Sequence, residues 1–200
     1  MGRWNLTAIT NGEFSSFIGR WDVIPEELCK QIISDCDKDL NHGVTGPDYK
    51  TAPLAKQSLD RAFTLDNAPD SILGAMRILA ECLEGYKQEY PTSDSVDYFS
   101  AYKISFQKYL PGWAYWVMHS ERMCLADGAR HLVWMIYLNT VEDCGGTYFK
   151  NQNLMVQARA GRVLIWPTDW THTHMGIVSP SETKYILTGW YEYDQVSDKQ

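Results

Sequence analysis

The apolar residues of this chain change their spacing near residue 98, and this change limits the folds that the chain can adopt. Before it, residues 25–39 and 70–90 carry apolar side chains at the spacing of amphipathic helices. After it, apolar residues fall in short runs rich in aromatic and β-branched side chains: YFSAYKISFQKYL, LVWMIYLN, RVLIW and KYILTGWYEY. The sequence therefore predicts two or three helices packed on one face of a mainly antiparallel β domain. It disfavours a parallel α/β fold, because strands do not alternate with helices.

Length and composition narrow the functional classes. The 200 residues suit a single domain, and no apolar stretch approaches the ~18 residues that a membrane span needs. With 18 basic and 25 acidic residues the net charge is −7, which disfavours binding of nucleic acid or a role as a nucleic-acid demethylase. Five cysteines without a Cys-x-x-Cys pair indicate reduced thiols, so we expect a cytoplasmic protein.

Four of the five histidines lie in the β half, and two short motifs among them are typical of a metal site. In the His-Ser-Glu motif, an extended strand would place His119 and Glu121 on the same face. The segment WPTDWTHTHMG supplies His172 and His174, again two residues apart. Two imidazoles and one carboxylate form the facial triad of non-haem Fe(II), which leaves coordination positions open. His-x-Glu is a weak signal by itself, and an ordinary core or surface role is the alternative.

The last strand carries a lysine in an unusual place. Period-two alternation puts Lys184 on the same face as Ile186, Thr188 and Trp190, and it puts Tyr185, Leu187 and Tyr191 on the other. A lysine on an apolar face is costly unless an anion meets it. The alternative is an edge strand on which the ammonium reaches water.

Between about residues 98 and 193 the chain resembles the prolyl 4-hydroxylase-like, 2-oxoglutarate- and Fe(II)-dependent dioxygenases, and it is most similar to small phage and bacterial members with a W-T-H-x-H motif. The resemblance rests on six ordered blocks: YLPG from Tyr109; Tyr115 with His119 and Glu121; IYLN; VEDCGGTYF; AGRVLIWP; and His174 followed by Lys184 and Trp190. It implies a mainly β fold with N-terminal helices and a double-stranded β-helix (jelly-roll, cupin-like) core. The implied single domain covers residues 1–200, with helical support over about 20–95 and the core over about 98–193. For a phage-encoded chain, the cytoplasm would be that of the host.

The same resemblance implies which residues hold the metal. Fe(II) would be bound by His119, Glu121 and His174, the last favoured over His172 by its spacing to Lys184 and by the Met-Gly that follows it. His172 would face the same way and remains an alternative or supporting group. The chain departs from the commoner His-x-Asp pattern of the family, since Glu121 is one methylene longer.

The resemblance also implies a cosubstrate site. Lys184 would meet the far carboxylate of 2-oxoglutarate, and Tyr109 and Tyr137 occupy positions that contact the cosubstrate in relatives. Sheet packing is the alternative role for both tyrosines. Trp190 would either line the pocket floor or belong to the core.

The implied activity is hydroxylation of a C–H bond, most simply of a peptidyl proline, using Fe(II), 2-oxoglutarate and O2, with ascorbate as an optional further cofactor and with release of succinate and CO2. The expected partner is therefore a proline-containing protein or peptide, which residues 42–66 and 122–130 would contact. Two alternatives stay open. One is the same chemistry on a free amino acid or other small molecule, and the other is a β-helix module that binds a metal without turnover.

Overall fold

A computed structural model describes residues 12–45, 54–94 and 103–193. The predicted β core begins at residue 98, so its first five residues lie outside the described part. The elements are, in chain order, β1 (Glu13–Ser15), β2 (Ile18–Asp22), α1 (Glu26–Cys36), β3 (Asn41–His42), β4 (Leu59–Phe63), α2 (Asp70–Glu89), β5 (Ile104–Tyr109), β6 (Arg130–Tyr137), β7 (Thr147–Phe149), β8 (Leu154–Val156), β9 (Arg162–Pro167), β10 (His174–Gly176) and β11 (Lys184–Glu192). Short 3-10 turns occupy Pro91–Asp94, Leu125–Asp127 and Trp170–His172.

The strands form two antiparallel sheets. The large sheet has the order β1-β2-β9-β6-β11-β5-β4-β3, and the small sheet has the order β10-β7-β8. At the centre of the large sheet, β11 pairs with β6 on one side and with β5 on the other. The most aromatic strands of the sequence thus lie where they are covered on both faces, as their composition predicts.

Both predicted helices are present and pack on one face of the large sheet. Helix α1 follows Pro25 and has two acidic residues in its first turn, and α2 ends just before Pro91, as these residues favour. Their apolar stripes bury Ile32, Leu79 and neighbouring residues against the sheet, where Leu187 is also fully buried. Within the described residues, neither helix combines the length and apolarity needed to cross a membrane.

The N-terminal half, for which the sequence predicts helices, also contains strands. Strands β1 to β4 also lie there, and they form both edges of the large sheet. They are two to five residues long and lack the aromatic and β-branched runs of the central strands. Their formation depends on pairing with distant strands, β2 with β9 and β4 with β5, so local periodicity does not reveal them.

The other face of the large sheet packs against the small sheet. A second apolar cluster joins the two layers; it contains Val133, Met135 and Tyr137 of β6 together with Phe149 and Val156 of the small sheet. Alternation along β11 directs Lys184 and Ile186 to this side and Leu187 to the helices, as predicted. The candidate site lies on this second face.

Candidate active site

The structure brings His119, Glu121 and His174 together. One ligand atom from each lies within 4.8 Å of the others. The Glu121 Oε1 atom is 3.5 Å from His119 Nε2 and 3.4 Å from His174 Nε2. Two imidazoles and a carboxylate at these separations suit a divalent metal such as Fe(II).

The backbone that positions the two histidines is an isolated β-bridge. The His119 N–H donates to the His174 carbonyl, and the His174 N–H donates to the His119 carbonyl, both at 2.9 Å. The His-Ser-Glu motif therefore does not lie on a regular strand, and that expectation was wrong. The segment between β5 and β6 is irregular, and pairing with the first residue of β10 holds it in place.

Each histidine of the cluster has a fixed tautomer. His119 Nδ1 lies 2.8 Å from the Val117 carbonyl, and His174 Nδ1 lies 2.8 Å from the His172 carbonyl. Because a carbonyl only accepts, Nδ1 carries a hydrogen in both rings, so Nε2 is the atom with which each ring in its neutral form binds a metal. Burial, together with the nearby His119, lowers the pKa of His174. A lowered pKa favours the neutral ring, which is the form that binds a metal.

Aromatic rings limit the movement of these two imidazoles. The Tyr115 ring stacks on His119, with centroids 3.7 Å apart and planes 11° apart. His174 lies 5.2 Å from the Trp166 ring and 5.5 Å from the Phe149 ring, again between centroids. These ring contacts orient both Nε2 atoms toward Glu121.

Glu121 is held at both oxygens. Burial raises the pKa of its carboxyl, but His119 and His174 outweigh that effect and the pKa lies well below its usual range. Its second oxygen, Oε2, accepts a hydrogen bond of 3.0 Å from Trp190 Nε1. Glu121 is therefore ionised and faces the two histidines through Oε1.

His172 does not face the cluster, contrary to the prediction from its spacing. It ends the Trp170–His172 turn, so the two-residue alternation of a strand does not apply there. Its Nε2 lies 2.9 Å from the Ser16 carbonyl, and its ring lines a separate surface pocket with Phe17. The structure therefore groups His174, and not His172, with His119 and Glu121.

Lys184 lies in the same cavity as the cluster and is 5% exposed. Its Nζ donates to the Gly145 carbonyl at 2.9 Å and lies 4.9 Å from the centroid of the Tyr109 ring. No carboxylate of the described residues forms an ion pair with it, and burial lowers its pKa to about 8. A dianionic oxo acid would supply the missing countercharge.

The two tyrosines take different places. Tyr109 lines the cavity, and its hydroxyl donates to Gln107 at 2.6 Å. Tyr137 is fully buried in the second apolar cluster, and its hydroxyl lies 2.6 Å from the Thr147 hydroxyl, which belongs to a cavity-lining residue. Burial raises the pKa of both phenols, so both remain neutral.

The cavity has a volume of ≈ 630 Å³. Both segments predicted to contact substrate contribute to its lining, residues 42–66 through Val44 and Asp60, and residues 122–130 through Met123 and Asp127. Residues 46–53 of the first segment lie outside the described part. His42, an exposed residue of β3, also lines the cavity.

Some residues of the site could not be found from sequence. The Gly145 carbonyl accepts the hydrogen bond of Lys184, and nothing in the VEDCGGTYF block indicates that contact. Arg130 stacks over Trp190, with the guanidinium carbon 3.9 Å from the ring centroid. These contacts join residues far apart in the chain, and no local pattern marks them.

Residues 104–192 match the 2OG-Fe(II) oxygenase superfamily. The chain carries a 2OG-Fe(II) oxygenase domain. It is therefore a 2-oxoglutarate-dependent dioxygenase, and Fe(II), 2-oxoglutarate and O2 are its cofactors, as predicted. The His119–Glu121–His174 cluster lies within the matched residues and has the donor types that Fe(II) requires. No curated protein matches the chain in sequence.

Solved prolyl hydroxylases share the fold of this oxygenase. One is the viral collagen prolyl hydroxylase of Paramecium Bursaria Chlorella virus-1 in its 2OG complex, with 17% identity, TM-score 0.70, and 90% of this chain and 98% of that one covered. A second is the Pseudomonas putida prolyl-4-hydroxylase, with 14% identity, TM-score 0.68, and 95% and 97% covered. A third is a Trichoplax adhaerens prolyl hydroxylase in complex with a hypoxia inducible factor peptide fragment, with 15% identity, TM-score 0.72, and 94% and 89% covered. The predicted jelly-roll fold is confirmed, and it is the fold of these prolyl hydroxylases.

Proposed function

We propose that this oxygenase hydroxylates a proline residue of a peptide or protein, with Fe(II) bound by His119, Glu121 and His174. The observation that carries the proposal is the single cavity shared by this cluster and the buried Lys184. A metal site and a desolvated ammonium together suit a cosubstrate that has a chelating 2-oxo acid at one end and a carboxylate at the other.

In this proposal the protein's own side chains bind and orient the metal and the cosubstrate. The two Nε2 lone pairs and Glu121 Oε1 hold the metal on one side, and Lys184 receives the far carboxylate of 2-oxoglutarate beside the Tyr109 ring. Thr147 lines the same cavity, and its hydroxyl contacts that of the buried Tyr137. Bound Fe(II) supplies the activation of O2. One oxygen atom of O2 ends in the product hydroxyl and the other in succinate, while the carboxylate next to the oxo group leaves as CO2.

Two observations favour a peptidyl substrate. The cavity is lined by both segments that we predicted to contact substrate, and Met123, which lines it, is 64% exposed. In addition, two of the structurally similar proteins are described as a collagen prolyl hydroxylase and as a prolyl hydroxylase bound to a peptide fragment. Ascorbate stays a prediction, as a reductant that would keep the iron in the Fe(II) state.

The test measures succinate and hydroxylated product by mass spectrometry with three substrates: a proline-rich peptide, the same peptide with alanine in place of proline, and free proline. We expect succinate and hydroxyproline in equal amounts with the proline peptide alone. Equal turnover of free proline would favour a small-molecule hydroxylase. No succinate from iron-loaded protein with any substrate would favour a metal-binding module without turnover.

We also propose that the protein works in a reducing compartment such as the cytoplasm. All five cysteines are free, and burial raises the pKa of Cys29 and Cys36 to about 11 and of Cys82 to about 12. Such thiols are inert to exchange. Thiol titration of denatured protein purified without reductant should give five groups per chain, and a smaller number would contradict the proposal.

A further inference from the structure

We propose that Trp190 and Arg130 position the Glu121 carboxylate. Their contacts with Glu121, called the Glu121 bracket below, allow the longer glutamate to serve as the acidic metal ligand in this chain. The inference rests on the proposed function, because it concerns the same metal site. It assigns both residues a positioning role: each acts through Glu121.

The two oxygens of Glu121 have different surroundings. Oε1 lies 3.5 Å from His119 Nε2 and 3.4 Å from His174 Nε2. Oε2 accepts the indole N–H of Trp190 at 3.0 Å. A glutamate has one more rotatable bond than an aspartate, and a fixed donor on Oε2 removes the resulting freedom. With Oε2 held in this way, the carboxylate presents Oε1 to a metal.

Arg130 holds the other end of the same residue. Its Nη1 donates to the Glu121 backbone carbonyl at 2.8 Å and lies 2.9 Å from Asp127 Oδ1. The guanidinium carbon lies 3.9 Å from the centroid of the Trp190 ring. Arg130 therefore fixes the Glu121 backbone and the indole plane together, and its own position is set by the ion pair with Asp127.

The Trp190 hydrogen bond is more than a consequence of burying an indole. Within the described residues, three other buried indole N–H groups have no hydrogen-bond partner, those of Trp21, Trp134 and Trp166. The fold therefore tolerates unpaired indoles. The one at position 190 is instead directed at a carboxylate oxygen of the metal cluster, 69 residues away in sequence.

The experiment measures Co(II) affinity of the metal-free protein by calorimetry for four variants: Trp190→Phe, Glu121→Asp, the double variant, and Trp134→Phe as the matched control. Trp134 lies on the helix-covered face of the large sheet, so its loss lowers stability without touching Glu121. We expect Trp190→Phe to weaken Co(II) binding about 10- to 100-fold, and Trp134→Phe to leave it unchanged. In the Glu121→Asp background the same Trp190→Phe change should cost less than about threefold, because the shorter side chain does not reach the indole.

A second readout follows the visible charge-transfer band of the anaerobic Fe(II)–2-oxoglutarate complex, which should shift in Trp190→Phe and not in Trp134→Phe. If Trp190→Phe keeps wild-type Co(II) affinity and an unshifted band, the positioning role of the Glu121 bracket is contradicted, whereas the metal site is not. An equal loss of Co(II) affinity on adding Trp190→Phe to the wild type and to the Glu121→Asp variant would also contradict that positioning role. Absence of Co(II) binding by the wild-type protein would contradict the metal site itself, and with it both proposals.

Discussion

On the helix-covered face of the large sheet, Leu187 and Tyr191 of β11 pack with Leu79 of α2 in an apolar cluster. On the opposite face, the same strand directs Lys184 and Trp190 into the cavity that holds the His119–Glu121–His174 cluster. Alternating side chains of β11 therefore contribute to both layers. The helix-covered face packs apolar side chains, whereas the cavity face also buries charged groups beside its apolar residues.

This difference has an energetic consequence. Burying an ammonium without an anion costs free energy, as the lowered pKa of Lys184 shows, so the cavity face lowers the stability of the ligand-free protein. Substitutions on the helix face should therefore change stability and spare binding. Substitutions on the cavity face should change binding and spare stability. The following predictions test this difference between the two faces.

The largest effect should come from His174→Ala compared with His172→Asn. The first removes an Nε2 donor from the cluster and should lower metal affinity by more than about 100-fold, beyond the loss typical of supporting residues. The second removes the contact with the Ser16 carbonyl and should cost about 1 kcal/mol of stability, with metal affinity retained. Calorimetry with Co(II) and urea unfolding measure the two quantities. Equal loss of affinity in both variants would contradict the assignment.

The next effect is expected for Lys184→Met, with Lys108→Met as its control on the helix face. Loss of Lys184 should weaken 2-oxoglutarate binding by about 3–5 kcal/mol, because it leaves a buried carboxylate without a countercharge. The ligand-free protein should be no less stable than wild type. Lys108 pairs with Asp37 instead, and its loss should lower stability slightly and leave 2-oxoglutarate binding unchanged. Similar 2-oxoglutarate affinities in the two variants would contradict the role of Lys184 in binding the far carboxylate.

Leu79→Ala tests the helix face directly. Leu79 is fully buried, so the cavity left behind should lower the free energy of unfolding by about 3 kcal/mol. Co(II) and 2-oxoglutarate affinities, measured well below the unfolding temperature, should match wild type. A parallel loss of affinity would mean that the two faces are coupled.

A smaller effect concerns pH. Burial lowers the pKa of Lys184 to about 8, whereas an unfolded lysine titrates near about 10.4. Between these values the unfolded state binds more protons, so this lysine makes the ligand-free protein more stable as pH rises, by about 2 kcal/mol from about pH 7 to about pH 9.5. Urea unfolding of wild type and Lys184→Met across that range isolates this contribution as the difference between the two. A difference that does not vary with pH would contradict a lowered lysine pKa.

The sequence predicts the parts of this molecule that depend on local pattern. The two helices, the central strands and the alternation of β11 follow from spacing and composition, and the choice of His119, Glu121 and His174 follows from the family resemblance. The edge strands β1 to β4 do not, because their short segments gain stability only through distant partners. The orientation of His172 depends on a 3-10 turn that interrupts the alternation. Likewise, the Trp190–Glu121 hydrogen bond joins β11 to the irregular segment before β6, and only the folded structure brings these two regions together.

The most direct test of the central claim is anaerobic titration of the metal-free protein with Fe(II) and then 2-oxoglutarate, followed by visible absorbance. The account predicts a charge-transfer band in wild type that is lost in His174→Ala, weakened in Glu121→Ala and Lys184→Met, and retained in His172→Asn. Absence of the band in iron-loaded wild type, or an unchanged band in His174→Ala, would contradict the assignment of the cavity face as the Fe(II) and 2-oxoglutarate site.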